Sequence, residues 1–182
     1  LLNQDKVSIR DLARIIGKLY ATAPAISHAP LKLRSLQQDL IQAQSQNLSY
    51  EDLITLSPSS TQEIKWWWIN ILIVKGSPMS IAPPDMVIFT DASTSQGWGA
   101  HMEGGPSTGG RWSQEERDLH INVLELLAVE IAIKTFLRIR EAKSIHLRID
   151  NFVALSYLVK MGGTKSPLLC SISQRIWESL QS

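Results

Sequence analysis

The sequence predicts an α/β chain with a mixed sheet, preceded by a small helical segment, and three observations carry that expectation. Apolar residues before position 70 recur at helical spacing. After residue 85 come short runs of strand formers separated by small and turn-forming residues. A long helical stretch then leads into a strictly alternating segment.

Ser8 can cap a first helical turn, and Leu12, Ile15, Ile16 and Leu19 follow at helical spacing until Pro24 and Pro30 break the run. A second amphipathic piece is expected over about 33–46. Ser60 followed by Glu63 has the form of a capping box and is expected to open a helix carrying Trp66, Trp67, Trp68, Ile69 and Ile71. Three successive tryptophans point about 100° apart around a helix, so at least one is expected to be exposed or to seal a junction. Residues 76–84, with Gly76, Pro78, Pro83 and Pro84, read as a linker, which divides the chain into 1–79 and 80–182.

Beyond the linker, 86–90, 97–102 and 109–113 read as three strands of an antiparallel meander, with Trp98 and Trp112 on strands. A helix is expected over about 122–138, and a strand over 144–149 with Ile145, Leu147 and Ile149 on one face. That strand should join the first in parallel, through a right-handed crossover by the long helix. A further helix starts near Phe152 and ends at Gly162 and Gly163, and a last one runs from Pro167 to Ser182.

Composition excludes several classes. The chain has 182 residues, 18 basic and 17 acidic, for a net charge of +1, so neither a wrap-around basic coat nor a disordered class is implied. Up to Asp85 there are eight basic and seven acidic residues, and afterwards ten of each, so charge does not mark the boundary. The single Cys170 excludes an internal disulfide framework and a thiolate-rich zinc site, favours a reducing, intracellular compartment, and reads as a buried small hydrophobe. The longest apolar stretch, 66–74, is far short of the roughly 20 residues a bilayer needs, so no membrane partner is expected. Without an initiator Met or a targeting segment, the chain is expected to be a fragment of a longer protein.

Three carboxylates stand where a charge is unfavourable. Asp91 closes the run Val87, Ile88, Phe89, Thr90; Asp150 closes the run 145–149; and Glu125 lies among Val123, Leu124, Leu126 and Leu127, in the first turn of the long helix. Each alone would be a turn residue or a solvated helical position. Together, with two at the ends of neighbouring parallel strands and one on a helix leaning over them, they suit a divalent cation. Hard oxygen ligands without thiolates or paired histidines select Mg²⁺ or Mn²⁺, and two such ions can drive an in-line phosphodiester displacement.

These residues resemble a known family. Thr90-Asp91-Ala92-Ser93, Gly97-Trp98-Gly99-Ala100, Gly110-Arg111-Trp112-Ser113, Asn122-Val123-Leu124-Glu125-Leu126 and Ile149-Asp150-Asn151 together resemble a ribonuclease H domain of the retroelement type. With His120-Ile121-Asn122, residues 162–166 and Ile176-Trp177, the likeness extends to the reverse transcriptase polyprotein of DIRS-type, tyrosine-recombinase retrotransposons. Residues 9–14 and the Trp-rich helix are similar to the thumb or connection segment that precedes the nuclease.

The resemblance implies hydrolysis of the RNA strand of an RNA–DNA hybrid. Asp91, Glu125 and Asp150 would be the catalytic, metal-binding residues for two Mg²⁺ (or Mn²⁺) ions, with Asn122, Ser93 and Asn151 binding substrate. Asn122 would read the ribose 2′-hydroxyl. The remainder of the polyprotein would be a partner. The family also carries a fourth acid, a loop histidine and a fifth strand near its C-terminus. Here Glu178 is the only acid after Asp150, and it reads as a solvated helical position. The expectation is therefore a ribonuclease H-like fold lacking its C-terminal part, with weak activity or none. The rivals are a catalytically incomplete or decayed module that only binds nucleic acid or docks on a polymerase, and an integrase-like strand transferase, which Asn122 beside Glu125 disfavours.

Lys134, Arg138, Arg140, Lys143 and Arg148 form a local cationic run that suits a phosphate backbone or a solvated helix end equally. Gly162-Gly163-Thr164-Lys165-Ser166 lacks the Walker spacing and reads as a turn. His101, His120 and His146 have no ligand spacing, and a local hydrogen bond is expected of His120.

Overall fold

The computed structural model describes residues 6–26, 28–72, 76 and 83–180. The chain divides into two compact units, Leu1–Met79 and Ser80–Ser182. Most of the expected linker lies outside the described residues. Among the described residues, no helix is long and apolar enough to cross a membrane.

The first unit packs three helices, α1 (Ile9–Tyr20), α2 (Arg34–Ser45) and α3 (Pro58–Asn70), around Val7, Leu12, Ile16, Leu33, Leu36 and Trp67. Ser8 caps α1 by accepting from the Asp11 N–H at 3.1 Å. A short antiparallel pair, β1 (Val7–Ser8) with β2 (Leu53–Ile54), had no signal in the sequence, because two-residue strands are too short to show a period. Of the three tryptophans, Trp67 is buried and donates its indole N–H to the Lys32 carbonyl at 2.8 Å, whereas Trp68 is 74% exposed.

The capping box does not form. Ser57 is the N-cap of α3, accepting from Ser60 N–H, and Pro58 follows it with its φ already helical. Glu63 is thereby free to turn across to α2, whose own N-cap Leu33 offers no side-chain acceptor. Its carboxylate accepts from the Ser35 N–H at 2.9 Å and the Leu36 N–H at 3.0 Å, satisfying two orphan donors at the positive end of that helix.

The second unit is mixed α/β. Its four-stranded sheet has the order β5-β4-β3-β6, built from β3 (Met86–Ser93), β4 (Gly97–Met102), β5 (Ser107–Gly110) and β6 (Ile145–Arg148). β3 pairs antiparallel with β4 and parallel with β6. The strand order along the chain follows the expectation, but boundaries of three strands differ, β6 being one residue shorter at each end than expected. β3 runs three residues further, because pairing continues to Ser93↔Gly97 across a tight turn, so Asp91 lies inside the strand and does not close it. At Gly97, with φ of 116°, a Cβ would collide with the Gly110 carbonyl oxygen, which only glycine avoids. β5 begins two residues earlier than expected, because a short turn pairs His101 with Ser107. The chain has then left the sheet at Trp112. This ring is still buried, in a small cluster with Leu124 and Ala128, and donates its N–H to the Ser93 carbonyl at 2.7 Å.

Alternation sorts the sheet. Met86, Ile88, Ala100 and Met102 face α4 (Ile121–Ile139) and form the main core with Leu126, Val129, Ile133 and Phe136. On the opposite face, one row across β6, β3, β4 and β5 is a chain of contacts. The Arg148 guanidinium lies over the Phe89 ring at 5.4 Å, Phe89 and His101 are 6.2 Å apart, and His101 Nδ1 is 3.0 Å from Ser107 Oγ. In the next row Asp91 is paired with Gly99 and Gly99 with Gly109, so on the β4–β5 side of the acid that row carries no side chains.

The last two helices, α5 (Phe152–Val159) and α6 (Pro167–Ser179), complete the core. Residues 162–166 form the turn between them, and Ser166 caps α6. Ser173 donates to the Tyr157 carbonyl and Trp177 to that of Leu158, both at 2.8 Å, which fastens α6 to α5. Buried Glu130 on α4 accepts both a bidentate pair from Arg175 of α6, at 3.1 and 2.7 Å, and a bond from Lys134 at 2.8 Å. Cys170 is buried in α6.

Candidate metal centre

Parallel pairing sets two of the three acids side by side. Phe89 is opposite Arg148, so the residues two further along each chain, Asp91 and Asp150, come together where β6 ends. Asp150 lies two residues past that strand. Glu125 comes from above. It lies just beyond the first turn of α4, since that helix starts one residue earlier than expected, at Ile121, with His120 as N-cap. Its flanking residues Leu124 and Leu126 are fully buried, which fixes the direction in which the carboxylate projects.

One ligand oxygen from each of Asp91, Glu125 and Asp150 lies within 4.8 Å of the others. Asp91 and Asp150 are exposed, while Glu125 is 4% exposed. The Ala92 backbone N–H bonds to the Glu125 carboxylate, yet the buried Oε2 has no partner. Burial first, then the negative charges of Asp150 and Asp91, push the Glu125 carboxyl up to about 7.

The remaining candidates fall into two groups. Asn122 and Asn151 are joined, Asn151 Nδ2 donating to Asn122 Oδ1 at 2.9 Å. Asn151 is also the N-cap of α5, its Oδ1 accepting from the Ala154 N–H at 2.9 Å. Ser93 does not join this group. Its hydroxyl accepts from the Ser95 and Gln96 N–H groups, both at 3.3 Å, and closes the β3–β4 turn. Glu178 is exposed, and among the described residues no fourth acid joins the three. In the cationic run, Lys134 is paired with Glu130 and Arg148 lies over Phe89, while Arg138, Arg140 and Lys143 are exposed.

Two supporting groups escaped the sequence reading. The Ala92 N–H is a backbone donor and leaves no trace in residue type. Asn151 as a cap was detectable, since Asn directly before an apolar helical run is a start signal. His120 makes the local bond expected of it, its Nδ1 accepting from the Asn122 N–H at 3.1 Å.

No protein-family model matches the sequence, and no curated protein shows significant similarity to it. A buried carboxylate oxygen without a partner, beside two further carboxylates, is an arrangement that a bound metal ion would stabilise. These three carboxylates form a donor set that could hold a metal ion.

Proposed function

We propose that the second unit is a ribonuclease H-type endonuclease that hydrolyses the RNA strand of RNA–DNA hybrids, within a retrotransposon reverse transcriptase of the DIRS type. The convergence of the Asp91, Glu125 and Asp150 oxygens within 4.8 Å, with Glu125 Oε2 unpartnered, is the observation that carries this reading.

In this proposal Asp91, Glu125 and Asp150 hold two divalent cations, which when bound supply the positive charge that activates water and stabilises a departing oxygen. Asp91 and Asp150 face solvent and are open to substrate. Glu125, anchored by the Ala92 N–H, fixes the inner side of the site. Asn122, three residues before Glu125 and so on nearly the same side of α4, meets the ribose 2′-hydroxyl. The bare lane at Gly99 and Gly109 lets a strand approach Asp91 without obstruction.

A labelled RNA–DNA hybrid incubated with Mg²⁺ or Mn²⁺ tests the proposal. With three acids rather than four, slow metal-dependent cleavage of the RNA strand is expected. Asp91→Asn should reduce cleavage to background while hybrid binding persists; an Asp91→Asn protein that cuts as fast as the parent refutes the site. The second reading, a module that only binds nucleic acid or docks on a polymerase, draws on the same three-acid count. It is favoured if hybrid binding is retained, falls with salt, and is indifferent to metal.

A further inference from the structure

Glycine weakens the interior of a strand, so each one there needs a reason. Three of the four sheet glycines have it within the fold: an added Cβ would strike the Gly110 carbonyl oxygen at Gly97, lie 2.9 Å from the Trp98 carbonyl oxygen at Gly109, and lie 3.1 Å from the Trp98 indole nitrogen at Gly110. Gly99 has no such reason. It sits on β4, an inner strand, its φ is not left-handed, and an added Cβ meets nothing within 4 Å. Residues directly opposite in a sheet share a face, so the open space over Gly99 adjoins Asp91 on one side and continues over Gly109 on the other.

This lane has a cationic wall. Two residues back along the strands, about 7 Å away, the Arg148 guanidinium lies over the Phe89 ring at 5.4 Å, with His101 beyond it. Arg148 and His101 are exposed, and among the described residues the Arg148 guanidinium has neither an ion pair nor a hydrogen bond. Resting on Phe89, it keeps its N–H donors for an anion, and their planar fork matches a phosphate. We infer that the lane is a track for a sugar–phosphate backbone, which crosses β4 over Gly99 with a phosphate held by Arg148. A chain of repeated anions suits both borders, one phosphate against Arg148 and the next toward the three acids and their cations. The inference rests on the nuclease reading above and states how the substrate backbone lies at that site.

Gly99→Val fills the lane with a strand-forming side chain, and Arg148→Gln removes the charge of its wall. The experiment measures binding of an RNA–DNA hybrid in chelator at several salt concentrations, beside thermal unfolding with and without Mg²⁺ and cleavage of the same hybrid in Mg²⁺. Gly99→Val should bind the hybrid about tenfold more weakly, the equivalent of about one charge-assisted contact, although it melts at or above the parent temperature and keeps the parent response to Mg²⁺. Arg148→Gln should lower the slope of log affinity against log salt by about one, leaving the share that Arg138, Arg140 and Lys143 carry.

A Gly99→Val protein that binds as tightly as the parent, or an Arg148→Gln protein with the parent slope, overturns the track. The nuclease reading then still stands if the parent cleaves and Asp91→Asn does not. A parent that binds as described but never cleaves overturns the nuclease reading and leaves the track as a binding groove. A parent that does not bind the hybrid at all overturns both. Should Gly99→Val melt below the parent, Gly99→Ala, whose single added carbon meets nothing within 4 Å, decides the question by the same measurements.

Discussion

With its carboxyl pushed up to about 7 by burial and by Asp150 and Asp91, Glu125 keeps a proton in the folded chain at pH values where the unfolded chain, near 4.5, has released it. The folded state then binds more protons across that window. Stability contributed by this group is complete below about pH 4.5 and is lost as pH rises through about 7. In chelator, the parent should therefore lose melting temperature relative to Glu125→Gln as pH rises across this range. Differential scanning calorimetry of the two proteins at several pH values checks the sign, and a parent that gains on the variant refutes it. Mg²⁺ should restore the parent more at the alkaline end, where the carboxylate is already ionised. At this scale the sequence was informative because Asp91, Glu125 and Asp150 each interrupt an apolar run. It could not show the Ala92 N–H or the amide linking Asn151 to Asn122, which exist only once three elements have docked.

Two carboxylates hold elements together by reaching from one helix to another. Glu63 closes the start of α2 from α3, so Glu63→Ala leaves two N–H groups without an acceptor and should lower the stability of the first unit by about 1–3 kcal/mol. Urea unfolding monitored by Trp67 fluorescence measures it, and Glu63→Gln, with one oxygen left, should lose less. In the second unit, burial pushes the Glu130 carboxyl up, but the hydrogen bonds and charges of Arg175 and Lys134 outweigh this and hold it below the usual range. A depressed carboxyl contributes stability above its unfolded value and loses it as pH falls through the folded one. Arg175→Ala should thus destabilise by about 1–3 kcal/mol near neutrality, discounted because Arg175 is half exposed. The loss should shrink in acid; equal losses at both pH values in urea titrations would contradict this account. The Glu63 bridge also shows why local patterns mislead. Ser60 and Glu63 have capping-box spacing, yet Ser57 and Pro58 took that task one turn earlier. The short strand at Ser107–Gly110 follows from a turn that pairs His101 with Ser107, while its glycines carry no alternation to read.

Across the whole molecule, helix periods and the order of strands and helices were readable because each long element buries one face. Both units own a separate core. All three acids belong to the second unit, so thermal unfolding should show a transition that Mg²⁺ raises and another that it leaves in place. A single transition, or equal shifts in two, would contradict that division. The isolated 80–182 piece should fold and retain the cation response, which calorimetry on it can verify. A net charge of +1 gives little long-range steering, so the salt dependence of any duplex binding should report local contacts from Arg138, Arg140 and Lys143 rather than the field of the whole chain.

The lone thiol gives access to motions that none of these titrations resolve. Cys170 is 2% exposed, on the helix that Arg175 ties to Glu130, and no other sulfhydryl competes with it. A small alkylating reagent can therefore modify the protein only when α6 lifts, and its rate of incorporation becomes a stopwatch for that opening. Arg175→Ala should speed labelling without any probe being engineered into the chain.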